Sequence, residues 1–161
     1  MTSRVTTAIA SAKLVAVTLR EATLADGEQI WRWNFAPEVR AWSKQSAAVA
    51  LAEHTQWFAR RLADDREPIW VIETPTHGVG TVRLDAVGGG LTRISIALAT
   101  AARGRGIGRR AVTAACDRWG RPIFAEILAD NLASRACFEA CGFRSVVECD
   151  GLFTYHWDPE I

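Results

Sequence analysis

LTRISIALATAARGRGIGRRAVTAACDRWG, residues 91–120, decides the reading of the chain. Leu91 to Ala99 reads as a largely buried strand; Arg103-Gly104-Arg105-Gly106-Ile107-Gly108 follows it and opens an amphipathic helix running from about Gly106 to Trp119. A glycine-rich turn between strand and helix aims backbone N–H groups and the positive helix end at one point, which suits an anion. Glycine is needed there because a Cβ would hold a phosphate away from the backbone. Three readings compete. A Walker A loop would end in Gly-Lys-Ser/Thr, and Arg109-Arg110 after Gly108 excludes it. A dinucleotide fingerprint would place Gly or Ala at position 109; Glu126, at the distance of a ribose-binding acid, keeps that reading open. A purely structural turn is the third, although two arginines and three glycines exceed what a turn requires.

Outward from this stretch, the pattern is consistent with one domain. Val15 to Arg20 alternates as a first strand; Thr23 to Phe35 is helical, interrupted by Pro37; a second helix spans about Ser46 to Asp64, with Ser46 as cap. Ile69 to Glu73 and Val79 to Asp85 form a hairpin around Thr74-Pro75-Thr76-His77-Gly78, and Gly88-Gly89-Gly90 is the next turn. Beyond the central helix come a strand over Pro122 to Leu128, a helix over Asn131 to Cys141 stopped by Gly142, and strands Phe143 to Cys149 and Leu152 to Trp157 around Asp150-Gly151. The order β-α-α-β-β-β-α-β-α-β-β predicts an α+β fold with a mixed, mostly antiparallel sheet flanked by helices. Residues 1–13 read as a flexible N-terminal arm and residues 14–161 as a single domain.

Composition narrows the function classes. Lys+Arg 19 against Asp+Glu 18 gives a formal charge of +1 and no basic surface for nucleic acid. Lysine occurs only at Lys13 and Lys44, so the cationic groups are nearly all arginine, suited to forked contacts with phosphate or carboxylate. Cys116, Cys137, Cys141 and Cys149 form no C-x-x-C pair, and His54, His77 and His156 are scattered, so neither a disulfide framework nor a metal site is expected. No apolar run reaches the ~18 residues of a membrane span. The expectation is a soluble, cytoplasmic protein, monomeric or homodimeric, with a small-molecule partner and no nucleic acid or membrane contact.

The loop resembles the Arg/Gln-x-x-Gly-x-Gly/Ala pattern of the GCN5-related N-acetyltransferase (GNAT) superfamily, matched at Arg103, Gly106 and Gly108. Downstream, Asn131-Leu132-Ala133-Ser134 and the closing Gly142-Phe143 are similar to that superfamily's coenzyme-lining helix. The resemblance implies the acyl-CoA N-acyltransferase fold and acetyl transfer from acetyl-CoA to a primary amine. Coenzyme contacts then fall to Leu98, Ala99 and Thr100 through the backbone, to Arg103, Gly104, Arg105, Gly106, Ile107 and Gly108, to Asn131 and Ser134, and to Arg109, with Arg110 as an alternative to Arg109. Helix capping competes for Asn131. Phe138 stands where many members carry a tyrosine that protonates the leaving thiolate; Tyr155 is the chain's only tyrosine.

A narrower resemblance, to acetyltransferases acting on nucleotide-linked amino sugars, rests on Trp33-Asn34, Arg40, Trp42-Ser43, His54, Trp57-Phe58 and Val82-Arg83-Leu84-Asp85. It implies acceptor contacts from Trp33, Asn34, Arg40, Trp42, Ser43 and Arg83. For the general base, Glu126 ranks first, followed by His54 and Asp85. Alternatives are acetylation of an amino acid, an antibiotic-like amine or a protein N-terminus, and a CoA-binding regulatory module without catalysis, which Phe138 leaves open. Cys137 and Cys141 lack a His or acid partner in the local sequence and read as core residues.

Overall fold

A computed structural model describes residues 14–45 and 47–161, so the expected arm over 1–13 and the Ser46 cap lie outside the described residues. The strands are β1 (Thr18–Glu21), β2 (Ile69–Glu73), β3 (Gly78–Ala86), β4 (Thr92–Leu98), β5 (Ile123–Leu128), β6 (Arg144–Cys149) and β7 (Leu152–Trp157). The helices are α1 (Gly27–Asn34), α2 (Pro37–Arg40), α3 (Leu51–Leu62), α4 (Ile107–Trp119) and α5 (Leu132–Ala140). One seven-stranded sheet has the order β1-β2-β3-β4-β5-β7-β6, antiparallel everywhere except between β4 and β5. That single parallel pair follows from its connection, since α4 must carry the chain back to the same sheet end.

Two differences from the sequence pattern have local causes. Pro37 does not merely interrupt a helix: it sits at the first position of the short α2, where its missing N–H costs nothing. The second long helix begins at Leu51, with Ala50 as its extended N-cap residue.

The sheet is covered on both faces. In β2, Trp70 and Ile72 join the core under α4 and α5, while Ile69 and Val71 join the core under α1 and α3. The period-2 alternation of a strand thus feeds two cores. On β3 and β4, Val82, Leu84 and Ile94 face α4 and α5, whereas Ala97 faces α1 and α3. By the same alternation Arg83, Asp85, Arg93 and Ser95 project on the α1–α3 face, and Glu126, between the inward Ala125 and Ile127, does so too.

Candidate active site

The parallel ladder between β4 and β5 holds at one position, Arg93 opposite Phe124. Beyond it the strands part, and a cleft of about 460 Å³ opens between them. Four consecutive residues of β4 (Arg93 to Ile96) and four of β5 (Ala125 to Leu128) line it. Side chains of neighbouring strand residues point to opposite faces, so consecutive lining residues mean that the cleft runs along exposed backbone. Unpaired strand N–H and C=O groups are thereby offered to an extended ligand, as at any free sheet edge.

At the C-terminal end of β4 lies the glycine loop. Gly104 and Gly106 have φ of +70° and +74°, the left-handed region that glycine enters without strain. Among the described residues, the six amides from Gly104 to Arg109 donate to no backbone or side-chain acceptor of the chain. A Cβ on Gly104 or Gly106 would project into open space, so these glycines serve whatever approaches from outside. Gly108 acts in packing instead. A methyl group there would lie 3.3 Å from Leu98 Cδ1, so glycine lets α4 pack closely on β4. Arg103 donates to the Leu98 carbonyl at 3.2 Å, and Thr100 Oγ1 donates to Glu38 at 2.6 Å, tying α2 to the strand end. Arg109 is exposed beside the loop, whereas Arg110 is half-buried and donates one terminal nitrogen to the Val15 carbonyl.

On the α5 side, Ser134 and Phe138 line the cleft. Asn131 caps α5 by accepting from the Ser134 amide at 3.2 Å, so capping is its observed role, and its side-chain NH₂ stays available to another partner. Phe138 is buried edge-on against Phe143, with centroids 4.9 Å apart. Tyr155 does not replace the missing hydroxyl. Its OH donates to Glu139 at 2.7 Å and accepts from Arg135 at 3.1 Å, one helical position round from Ser134 and Phe138, and it is no part of the cleft wall.

Of the three base candidates, one lines the cleft. His54 is a correction: it is buried under α1, its ring stacked on Phe58 and its Nε2 on the Gly27 carbonyl at 3.0 Å. Desolvation there lowers its pKa and keeps it neutral. Asp85 is likewise corrected from base to anchor, because it is buried and its carboxylate accepts from Arg61, Arg83 and Arg93. Burial pushes the Asp85 pKa up, but the three guanidiniums outweigh it and the net shift is downward. Glu126 is in the cleft wall, bonded to Lys44 and Arg93, each at 3.1 Å. Burial raises its pKa too; the two cations prevail and hold it ionised below the usual carboxylate range.

The proposed acceptor residues divide. Arg40, Trp42, Ser43 and Arg83 line the cleft. Trp33 is instead core on the α1–α3 face, and Asn34 ends α1 away from the cleft, because the helical period that buries Ile30 and Trp33 turns both inward or aside. Lys44, Arg93 and Ser95 complete the wall without having been singled out by sequence. The signal for Arg93 was present: Asp85 and Arg93 are equidistant from Gly89, the centre of the triple-glycine turn, and pair across β3 and β4.

Among the described residues, no group of three or more His, Cys, Asp or Glu could hold a metal ion, and no helix is long and apolar enough to cross a membrane. All four cysteines are free. The neighbouring Cys137 thiol lowers the Cys141 pKa, yet Cys141 is tied to Thr113 and the Arg109 carbonyl behind the loop, outside the cleft.

Comparison with known proteins agrees with this geometry. A family model described as an acetyltransferase (GNAT) domain matches residues 16–144. Among solved structures, a domain from Methanocaldococcus jannaschii superposes with a TM-score of 0.77 at 21% identity, over 89% of this chain and 99% of that one. An aminoglycoside acetyltransferase in complex with coenzyme A and kanamycin gives 0.75 at 19%, over 90% and 96%. Spermidine N-acetyltransferase from Vibrio cholerae, in complex with CoA and spermine, gives 0.74 at 17%, over 87% and 92%. A search of curated proteins finds no match.

Proposed function

Since this chain belongs to the acetyltransferase (GNAT) domain family, we propose that it transfers acetyl from acetyl-CoA to the primary amine of a small molecule, directly within a ternary complex, and that the acceptor is a nucleotide-linked amino sugar. The observation that carries the coenzyme half is the parting of β4 from β5 beside six unengaged loop amides. An extended arm fits along the open strand edge while its pyrophosphate meets the loop and the start of α4. Acetyl-CoA supplies an activated thioester; the chain supplies orientation, charge and a proton route.

The two substrates approach from opposite faces. Ser134 and Phe138 border the coenzyme from the α5 side, while Arg40, Trp42, Ser43, Arg83 and Glu126 receive the acceptor from the α1–α3 side. Holding the amine against the thioester in this way removes much of the entropic barrier to their encounter. Backbone N–H groups of β4 polarise the carbonyl as negative charge develops on its oxygen. Glu126, its pKa held below the ordinary carboxylate range by Lys44 and Arg93, steers the ammonium into the cleft and takes a proton, directly or through a water, once attack has made the nitrogen acidic. With Phe138 carrying no hydroxyl, the leaving thiolate is protonated from solvent or by the amine's own proton.

The acceptor reading is supported by the indole of Trp42 and by the guanidiniums of Arg40 and Arg83 in the cleft wall, which suit a sugar face and a phosphate. Thiol release from acetyl-CoA, followed with a panel of amino-sugar nucleotides, amino acids, aminoglycosides and polyamines, tests it. Acceleration by an amino-sugar nucleotide is expected; acceleration only by polyamines or aminoglycosides would reassign the acceptor, and a flat response with tight CoA binding would identify a regulatory module.

A further inference from the structure

On the acceptor face, the charges do not balance. Arg61, Arg83 and Arg93 converge on the single carboxylate of Asp85 at 2.7 to 3.4 Å. Arg93 and Lys44 share Glu126, and Glu67 lies 3.5 Å from Arg61. With Arg40 in the same wall, five cationic side chains meet three carboxylates.

The surplus is located on two residues. Arg83 bonds Asp85 through Nε, which leaves both terminal nitrogens of its fork without a partner among the described residues, and its side chain keeps 31% exposure toward the cleft. Desolvation lowers its pKa, and the like charges of Arg61 and Arg93 add to that cost. Arg40 donates one terminal nitrogen to the Ala47 carbonyl, while its Nε is buried with no acceptor among the described residues. A buried guanidinium nitrogen without an acceptor is costly to maintain unless a ligand supplies one. Both forks are also fixed in place: Arg83 lies over the Trp57 ring at 5.6 Å and Arg40 over Phe35 at 4.8 Å.

We infer that Arg83 and Arg40 form an oxyanion-recognition site for a phosphate or carboxylate carried by the acceptor, and that this site selects acidic amines over polycationic ones. Asp85 is the positioning residue that fixes Arg83, while Glu126, elsewhere in the cleft wall, receives the amine end. The acceptor is therefore read as a dipole, anion toward the arginines and ammonium toward the carboxylate. The inference rests on the acetyltransferase reading for the identity of the site, but its binding test does not.

The probes are sodium pyrophosphate, uridine diphosphate, succinate and spermidine, titrated against the whole protein with and without saturating CoA and followed by tryptophan fluorescence, with Trp42 in the wall as reporter. Saturable binding of an oxyanion in the presence of CoA is expected, weakened about tenfold or more in both Arg83→Gln and Arg40→Gln with CoA affinity retained. Preference for pyrophosphate and uridine diphosphate over succinate would name phosphate as the group; the reverse would name carboxylate. Spermidine is expected to bind at least about tenfold more weakly than the preferred anion. The site is overturned if no oxyanion binds, if CoA displaces it and so places it on the glycine loop, or if the two substitutions leave its affinity unchanged. Should Arg83→Gln lose its fold by circular dichroism, Arg40→Gln decides. A protein that binds the anion but not CoA would sink the coenzyme assignment and leave this site standing; one that binds CoA but no oxyanion does the reverse.

Discussion

Glu126 and Gly106 give the sharpest tests at the level of single residues. Replacing Glu126 by Gln keeps the shape and removes the charge that Lys44 and Arg93 hold ionised. We expect kcat/KM to fall about a hundredfold. Because the group stays ionised below the ordinary carboxylate range, the acidic limb of the pH–rate profile in the wild type should not be its titration above about pH 5, and the variant's limb should coincide with it. A variant with unchanged kcat/KM would leave Glu126 as an ion-pair residue only. Gly106→Val sets a β-branched side chain at φ +74° and points it where no protein atom lies within 4 Å. It should cost about 1–2 kcal/mol in stability from the left-handed backbone and weaken CoA binding about tenfold or more by excluding the pyrophosphate; a folded variant with normal CoA affinity would refute the loop assignment. His54 shows where residue-level reading misleads: an imidazole in an aromatic helix looks like a base in sequence, and only the Gly27 carbonyl and the Phe58 ring identify it as core.

Among the elements, the entry to α1 carries its own pH dependence. Arg20 of β1 grips both oxygens of Asp26, which also accepts from the Thr23 amide, and the Asp26 pKa falls from 3.8 to about 2. Folded Asp26 is thus the stronger acid, so its contribution is complete above about pH 4 and fades as pH falls toward about 2. Asp26→Asn should destabilise the protein by about 1–2 kcal/mol at neutral pH in urea melts, with the difference shrinking below about pH 4. Strands and long helices were legible because alternation and 3.6-residue periodicity are local: β2 to β7 fall within two residues of their sequence positions. Helix starts were less so. α3 begins at Leu51 with an extended Ala50 that makes no side-chain cap, so no capping residue in the adjacent sequence marks its start, and its inward face is set by buried His54 and Phe58. The glycine loop was legible as contiguous glycines and arginines. The cleft wall was only partly so, since Lys44, Arg93 and Glu126 come from three separate segments that only the fold assembles.

For the whole molecule, ligand binding and stability are linked. At CoA concentrations near 100 times its Kd the native state gains about 2.7 kcal/mol, which for a chain of this size raises Tm by about 5–10 °C. NAD at the same concentration should leave Tm unmoved; equal shifts from both would revive the dinucleotide reading of the loop. The two cores lie on opposite faces of a sheet whose halves, β1 to β4 and β5 to β7, share a single rung at Arg93 and Phe124. Such a sheet has a seam. Its amides beyond that rung have no permanent partner, so in the free protein they should exchange with deuterated water faster than those of the β3–β4 ladder beside them. A bound pantetheine arm would bridge the seam, and slowed exchange over residues 94–98 and 125–128 would show the coenzyme acting as a mechanical tie between two halves that the chain itself leaves loosely joined.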